Sequence, residues 1–165
     1  MTRPGYHPRD VEGVRYFAYG SNIEPGFIHE RCPSATNPVV GRLDGFRLEF
    51  NVYSDVWGGG AANLELDPDA LVWGVVWEVD RGDLASLDTF QGHPTYYRHE
   101  DVVVVCGEEL VSCTTFRVAH LTGFVRPTDD YLERVRSGMA QLGLPEEALE
   151  ILERAARPPT PRIST

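Results

Sequence analysis

The run Tyr16-Phe17-Ala18-Tyr19-Gly20-Ser21-Asn22 is apolar and then stops abruptly in small, donor-rich residues. Phe17, Ala18 and Tyr19 predict a short buried strand, because aromatic side chains suit a pleated, half-buried surface. Gly20 lets the backbone turn sharply, and Ser21 and Asn22 add polar side chains beside exposed backbone N–H groups. A helical pattern follows over residues 23–31. Whatever fold forms must therefore place a strand end and a helix start at this turn. Unpaired N–H groups converge at such a junction, which suits a carboxylate or phosphate, although many strand–turn–helix junctions bind nothing.

The remaining pattern has short strands in the middle and helices at the end. Residues 42–53 alternate apolar and polar (Leu43, Phe46, Leu48, Phe50, Val52), as a half-buried strand should. Residues 72–79 form an apolar run that predicts a strand buried on both faces. Residues 81–90 carry helical spacing at Leu84 and Leu87, with Asp83 favouring the N-terminal turn. Residues 101–105 and 110–118 flank Gly107-Glu108-Glu109 and predict a hairpin. From Thr128 the period changes. Tyr131, Val135, Met139 and Leu142 mark a helix face that stops near Gly143, and Pro145 opens a last helix carrying Ala148, Leu149 and Leu152. The class is α+β. We expect a loose leader over residues 1–13, one domain over 14–157 and a Pro-rich tail over 158–165.

Charge and cysteine content narrow the function. The chain has 165 residues, a formal net charge of −10 and 42% hydrophobic residues, enough for one core. The acidity argues against nucleic acid or an anionic membrane as partner, since both need clustered positive charge. It leaves room for an anionic small molecule held by local donors. No run is long enough to span a bilayer, and no basic segment precedes an apolar one near the start, so a cytoplasmic protein is expected. Cys32, Cys106 and Cys113 lack zinc-ligand spacing and read as reduced thiols, and His93, His99 and His120 form no metal pattern. No metal is expected. Monomer and homodimer are not distinguished.

Four segments together resemble the γ-glutamylcyclotransferase family: Tyr19-Gly20-Ser21-Asn22; Gly58-Gly59-Gly60-Ala61-Ala62; residues 72–79; and residues 83–92, from Asp83 to Gly92. The resemblance runs from about Arg15 to Arg154. It implies a small mixed β-barrel flanked by helices, and a cofactor-independent reaction on a small-molecule γ-glutamyl amide. The substrate's α-amine attacks its own γ-carbonyl, closing 5-oxoproline and expelling the amine beyond. Holding that near-attack shape is worth ~7–11 kcal/mol in favourable cases. A positioned carboxylate that moves the proton adds roughly 10²–10⁴ in rate, and fixed donors stabilise the oxyanion.

The resemblance also implies site residues. Tyr19, Gly20, Ser21 and Asn22 would hold the glutamyl portion, while Tyr97 and Tyr131 would line the pocket; on the residues alone, Tyr97 also reads as cross-strand packing and Tyr131 as core. Asp88 would brace the loop. Gln91 stands where the family carries its general acid/base glutamate. An amide keeps the shape of glutamate but cannot accept the proton, and removes a charge opposite the ammonium. A deliberately disabled variant, a natural member with altered chemistry or a substitute base, and a binder without chemistry remain open. His93 and Glu100 are the candidate substitute bases. We expect the Tyr19–Asn22 turn and Gln91 to line one cavity bordered by Tyr97 and Tyr131.

Overall fold

The computed structural model describes residues 13–90, 97–119, 121 and 123–159, with residues 88–90 as backbone. Gln91, His93 and His120 lie outside the described residues, as does the side chain of Asp88. Five strands close a mixed barrel in the order β1-β3-β2-β4-β5. β1 (Gly13–Ala18) runs antiparallel to β3 (Gly59–Asp80), with Tyr16 opposite Trp77. β2 (Thr36–Ser54) and β3 form one long hairpin of 19 and 22 residues, far beyond the about 5–6 of an ordinary strand. Such lengths curl only if the ladder is interrupted, and its register shifts at Thr36/Val39, Asp44/Phe46 and Phe50/Val52.

β4 (Arg98–Cys106) and β5 (Glu109–Arg117) form the second hairpin, and β5 meets β1 in parallel to close the barrel. At that seam side chains supplement the ladder. Thr115 Oγ1 donates to Phe17 O at 2.8 Å, and Tyr19 Oη donates to Phe116 O. Phe17, Phe50, Leu64, Val75, Trp77 and Phe116 are all fully buried in the core on the two faces of the barrel wall. Each such side chain contributes roughly 1.5–3 kcal/mol on leaving water.

Four helices pack around this barrel. α1 (Pro25–Arg31) follows a 3-10 turn over Ser21–Ile23. Pro25 sits in its first turn, and the Glu24 carboxylate caps it by accepting from Phe27 N at 2.7 Å and Gly26 N at 3.2 Å. α2 (Arg81–Phe90) starts where the Asp80 carboxylate accepts from Asp83 N. α3 (Asp129–Leu142) is capped by Thr128 and ends at Gly143, whose φ of 69° and ψ of 37° is the left-handed conformation that glycine adopts without strain. α4 (Glu146–Ala155) follows at once.

α3 is locked to the turn before α1. Gly138 packs so closely that an added Cβ would lie 2.6 Å from Glu24 N. The Glu24 carboxylate also accepts from Arg134 at 3.1 Å and Gln141 at 3.4 Å. Burial opposes ionisation of Glu24, but hydrogen bonds from Phe27 N, Gln141, Arg134 and Gly26 N outweigh it and hold the carboxyl below its ordinary value.

The α+β class and the small mixed barrel flanked by helices are as expected, and each predicted strand and helix is present. One local detail differs. The helix expected from Ile23 begins at Pro25, because Glu24 is the residue whose carboxylate meets the free N–H groups. Of the apolar residues that α4 carries, Ala148 and Leu152 form its buried face and Leu149 is 39% exposed. Asp83 lies in the first turn of α2, and its carboxylate accepts from Ser34 N at 2.8 Å.

Candidate active site

A cavity of about 320 Å³ opens where the 3-10 turn, the start of β3 and the first turn of α3 meet. It is lined by Tyr19, Gly20, Ser21 and Asn22, and by Tyr97 and Tyr131. The structure thus brings together every predicted binding residue. Glu100 is absent from the lining, and its carboxylate accepts from Arg117 Nη1 at 2.8 Å. It is engaged in an ion pair rather than placed as a base for this cavity.

The turn is held from below. Trp77 Nε1 donates to Asn22 O at 3.0 Å, and Asn22 Nδ2 donates to Tyr16 Oη at 3.1 Å. Asn22 Oδ1 is buried and has no hydrogen-bond partner among the described residues. Within the turn, Ile23 N bonds to Gly20 O and Glu24 N to Ser21 O. Those bonds do not use the N–H groups of Ser21 and Asn22, which precede them.

Of the four buried tyrosines among the described residues, Tyr19, Tyr97 and Tyr131 differ in how their protons are used. β1 pairs only with the Val75–Asp80 part of β3, so the earlier residue Ala62, opposite Phe50 of β2, meets side chains where β1 does not reach. Tyr97 Oη donates to Ala62 O at 2.9 Å, whereas Ala62 N donates to Tyr131 Oη at 3.0 Å. Tyr19 spends its proton on Phe116 O. The Tyr131 hydroxyl is an acceptor, and its own proton has no acceptor among the described residues. It is the hydroxyl donor that a ligand can use.

Electrostatics agree with that assignment. Burial pushes Tyr131 up to about 12, with the N–H groups of Ala62 and Ser21 opposing the rise. Burial also raises Tyr19 and Tyr97 well above the ordinary tyrosine value, and the neighbouring tyrosines add to it. All three stay protonated at neutral pH. Gly20 permits this packing. A Cβ there would lie 2.5 Å from Tyr131 Oη and 3.5 Å from the Ala62 methyl.

The sequence reading missed the outer wall. Residues 52–57 line the cavity without a break, and Trp57 packs on Tyr131 at 5.2 Å and on Phe27 at 5.3 Å between ring centroids. The available signal was the large aromatic immediately before Gly58-Gly59-Gly60. Asp55 is the only charged side chain among the described lining residues. Among the described residues no helix is long and apolar enough to cross a membrane.

The family described as "Gamma-glutamyl cyclotransferase, AIG2-like" matches residues 16–138. The gamma-glutamylcyclotransferase of Bos taurus is 34% identical over 145 residues, covering 84% of this chain and 77% of that protein. The Homo sapiens gamma-glutamylcyclotransferase is 34% identical over 150 residues, covering 87% and 79%. A solved structure named gamma-glutamyl cyclotransferase superposes with a TM-score of 0.80 at 33% identity, with 93% of each chain covered. The match spans both the Tyr-Gly-Ser-Asn turn and the helix that carries Tyr131, and the chain belongs to the gamma-glutamyl cyclotransferase, AIG2-like family.

Proposed function

We propose that this cavity binds the glutamyl head of a γ-glutamyl amide and folds it for cyclisation to 5-oxoproline. The backbone N–H of Asn22 and the Ser21 hydroxyl grip the α-carboxylate, beside the Ser21 N–H that already faces the Tyr131 hydroxyl oxygen. The α-amine attacks the γ-carbonyl, forming the ring C–N bond and an oxyanion. Collapse breaks the C–N bond to the leaving amine, and the proton lost by the attacking nitrogen ends on the departing one. No water is consumed. Tyr131 donates its free proton to the substrate, whereas Tyr19 and Tyr97 shape the pocket with hydroxyls already committed to backbone carbonyls. The observation that carries this reading is that one cavity joins the donor-rich turn to a buried tyrosine hydroxyl, that of Tyr131, with a proton to give. The acidity of the chain, with a formal net charge of −10, supports a small molecule rather than nucleic acid as its partner.

Gln91 occupies the general acid/base position of the family's motif and cannot take the proton. Turnover is therefore impaired in the chain as it stands. The second reading, a binder of γ-glutamyl compounds without chemistry, is favoured by the same residue. Incubating the protein and its Gln91→Glu form with several γ-glutamyl amides, and measuring 5-oxoproline, separates the two. The cyclotransferase reading expects roughly 10²–10⁴ more turnover in Gln91→Glu with little change in affinity, since proton acceptance belongs to the transition state. Binding without 5-oxoproline from either form supports the binder. Equal turnover in both forms overturns the role given to position 91.

A further inference from the structure

Resting on the cyclotransferase reading of this cavity, we propose that the turn between β2 and β3 is the subsite for the leaving amine. It selects amines that carry an apolar or aromatic body and no carboxylate beside the nitrogen. The cavity has two chemically distinct ends. The inner end carries the donor-rich Ser21–Asn22 turn and the Tyr131 hydroxyl. The outer wall is the run from Val52 to Trp57, where Tyr53 is 57% and Val56 is 56% exposed, both bordering the cavity. Two large apolar side chains left in water beside a pocket are a place where a ligand's apolar part gains by binding.

This wall is fixed before any ligand arrives. Trp57 is wedged between Tyr131 and Phe27, and the Phe27 ring lies under the Arg31 guanidinium at 4.1 Å. Ser54 locks the turn, accepting from Trp57 N at 3.3 Å through its hydroxyl and from Gly58 N at 2.8 Å through its carbonyl. A γ-glutamyl amide is built in the same order as the cavity. Its zwitterionic head suits the inner donors, and the amine substituent then leads past Trp57 to Val56 and Tyr53. Asp55 lies among these apolar residues. A leaving amino acid would bring its carboxylate toward this side chain, and an amine without one avoids that repulsion.

The test compares γ-glutamyl-ethylamide, γ-glutamyl-phenethylamide and γ-glutamyl-L-phenylalanine by calorimetry on the wild-type chain, with 5-oxoproline measured in the same samples. Where product accumulates, the ratio of kcat/KM replaces the ratio of affinities. The phenethylamide should be preferred over the ethylamide by about tenfold, the ratio expected when roughly half a phenyl ring's surface leaves water. The phenylalanine compound should be weaker than the phenethylamide by roughly threefold or more, and Asp55→Asn should narrow that gap. Replacing Tyr53 and Val56 together by serine should bring the phenethyl-to-ethyl ratio near one. The wild-type ratio stands as a test even if that double variant folds poorly. Equal preference for ethyl and phenethyl amides overturns the proposal while leaving the cyclotransferase reading intact. If none of the three binds or yields 5-oxoproline, the cyclotransferase reading itself fails.

Discussion

Replacing Tyr131 by phenylalanine removes one oxygen and leaves the ring between Phe50 and Trp57, so its two consequences can be calculated separately. The first is structural. Ala62 N–H loses its 3.0 Å acceptor in a buried setting, and an unsatisfied buried donor costs about 1–3 kcal/mol. For a chain of this length that lowers Tm by roughly 3–8 °C. The second is functional. Unlike Tyr19 and Tyr97, Tyr131 has a proton uncommitted among the described residues, so the substrate loses a donor that strengthens as charge develops. Loss of such a donor in a closed site costs about 10–10³ in kcat. Tyr97→Phe is the control, because the lost proton was already bound to Ala62 O at 2.9 Å. It should destabilise by about 1 kcal/mol and change kcat by less than about threefold. Both variants should be assayed for 5-oxoproline in whichever of the wild-type and Gln91→Glu backgrounds turns over faster, with thermal melts alongside. If Tyr97→Phe lowers kcat as much as Tyr131→Phe, the assignment of protons is wrong.

Gly20→Ala should lower turnover at least tenfold with a modest loss of Tm, because the new methyl would lie 2.5 Å from Tyr131 Oη and displace it; unaltered kinetics would refute the close packing. Glu24→Gln should cost about 1–2 kcal/mol at neutral pH, read from urea midpoints, through weaker bonds to Phe27 N, Gly26 N and Arg134. The folded Glu24 value is depressed, so its contribution is complete above the unfolded value of about 4.3 and fades as pH falls through the lower folded value. Wild type should therefore lose stability more steeply than Glu24→Gln below about pH 4.3, and parallel acid limbs would refute this. Cys32 and Cys113 are buried, and burial pushes both thiols up to about 12, so iodoacetamide at pH 8 should leave them unmodified until the chain unfolds. Rapid labelling of Cys32 in the native protein would show that the packing around it opens.

Helix ends were legible because their signals are local. Thr128 caps α3, Gly143 ends it and Pro145 precedes α4, each as its side chain or backbone requires. The long hairpin was legible only in pieces. Asp67-Pro68-Asp69-Ala70 breaks the alternation of β3, and the structure shows why: the partners of β2 jump from Leu66 opposite Phe46 to Leu71 opposite Asp44. The four residues between leave the ladder, which is where a proline and charges are tolerated. Trp57 was missed because a turn has no period to announce an inward-facing side chain. Tyr131 was ambiguous for the opposite reason. It lies on the apolar stripe with Val135 and Met139, and its ring is core while its hydroxyl reaches the cavity.

Apart from Tyr97, which ends the same segment, the residues that pin the cavity are separate in the chain from the position proposed for chemistry. The turn at Gly20–Asn22 is pinned by Trp77, Tyr131 by the backbone of Ala62, and α3 by Glu24. None of these contacts involves the segment between α2 and β4, to which Gln91 belongs by sequence. Exchanging a carboxylate for an amide there alters one charge and one proton site and leaves these three contacts in place. Affinity for the glutamyl head should therefore survive whichever residue stands at 91. The rate is what should respond, because the barrier contains the proton and the bound complex does not. That separation explains how one pocket can serve as an enzyme or as a binder, and makes the affinity of the Gln91 form as informative as its turnover.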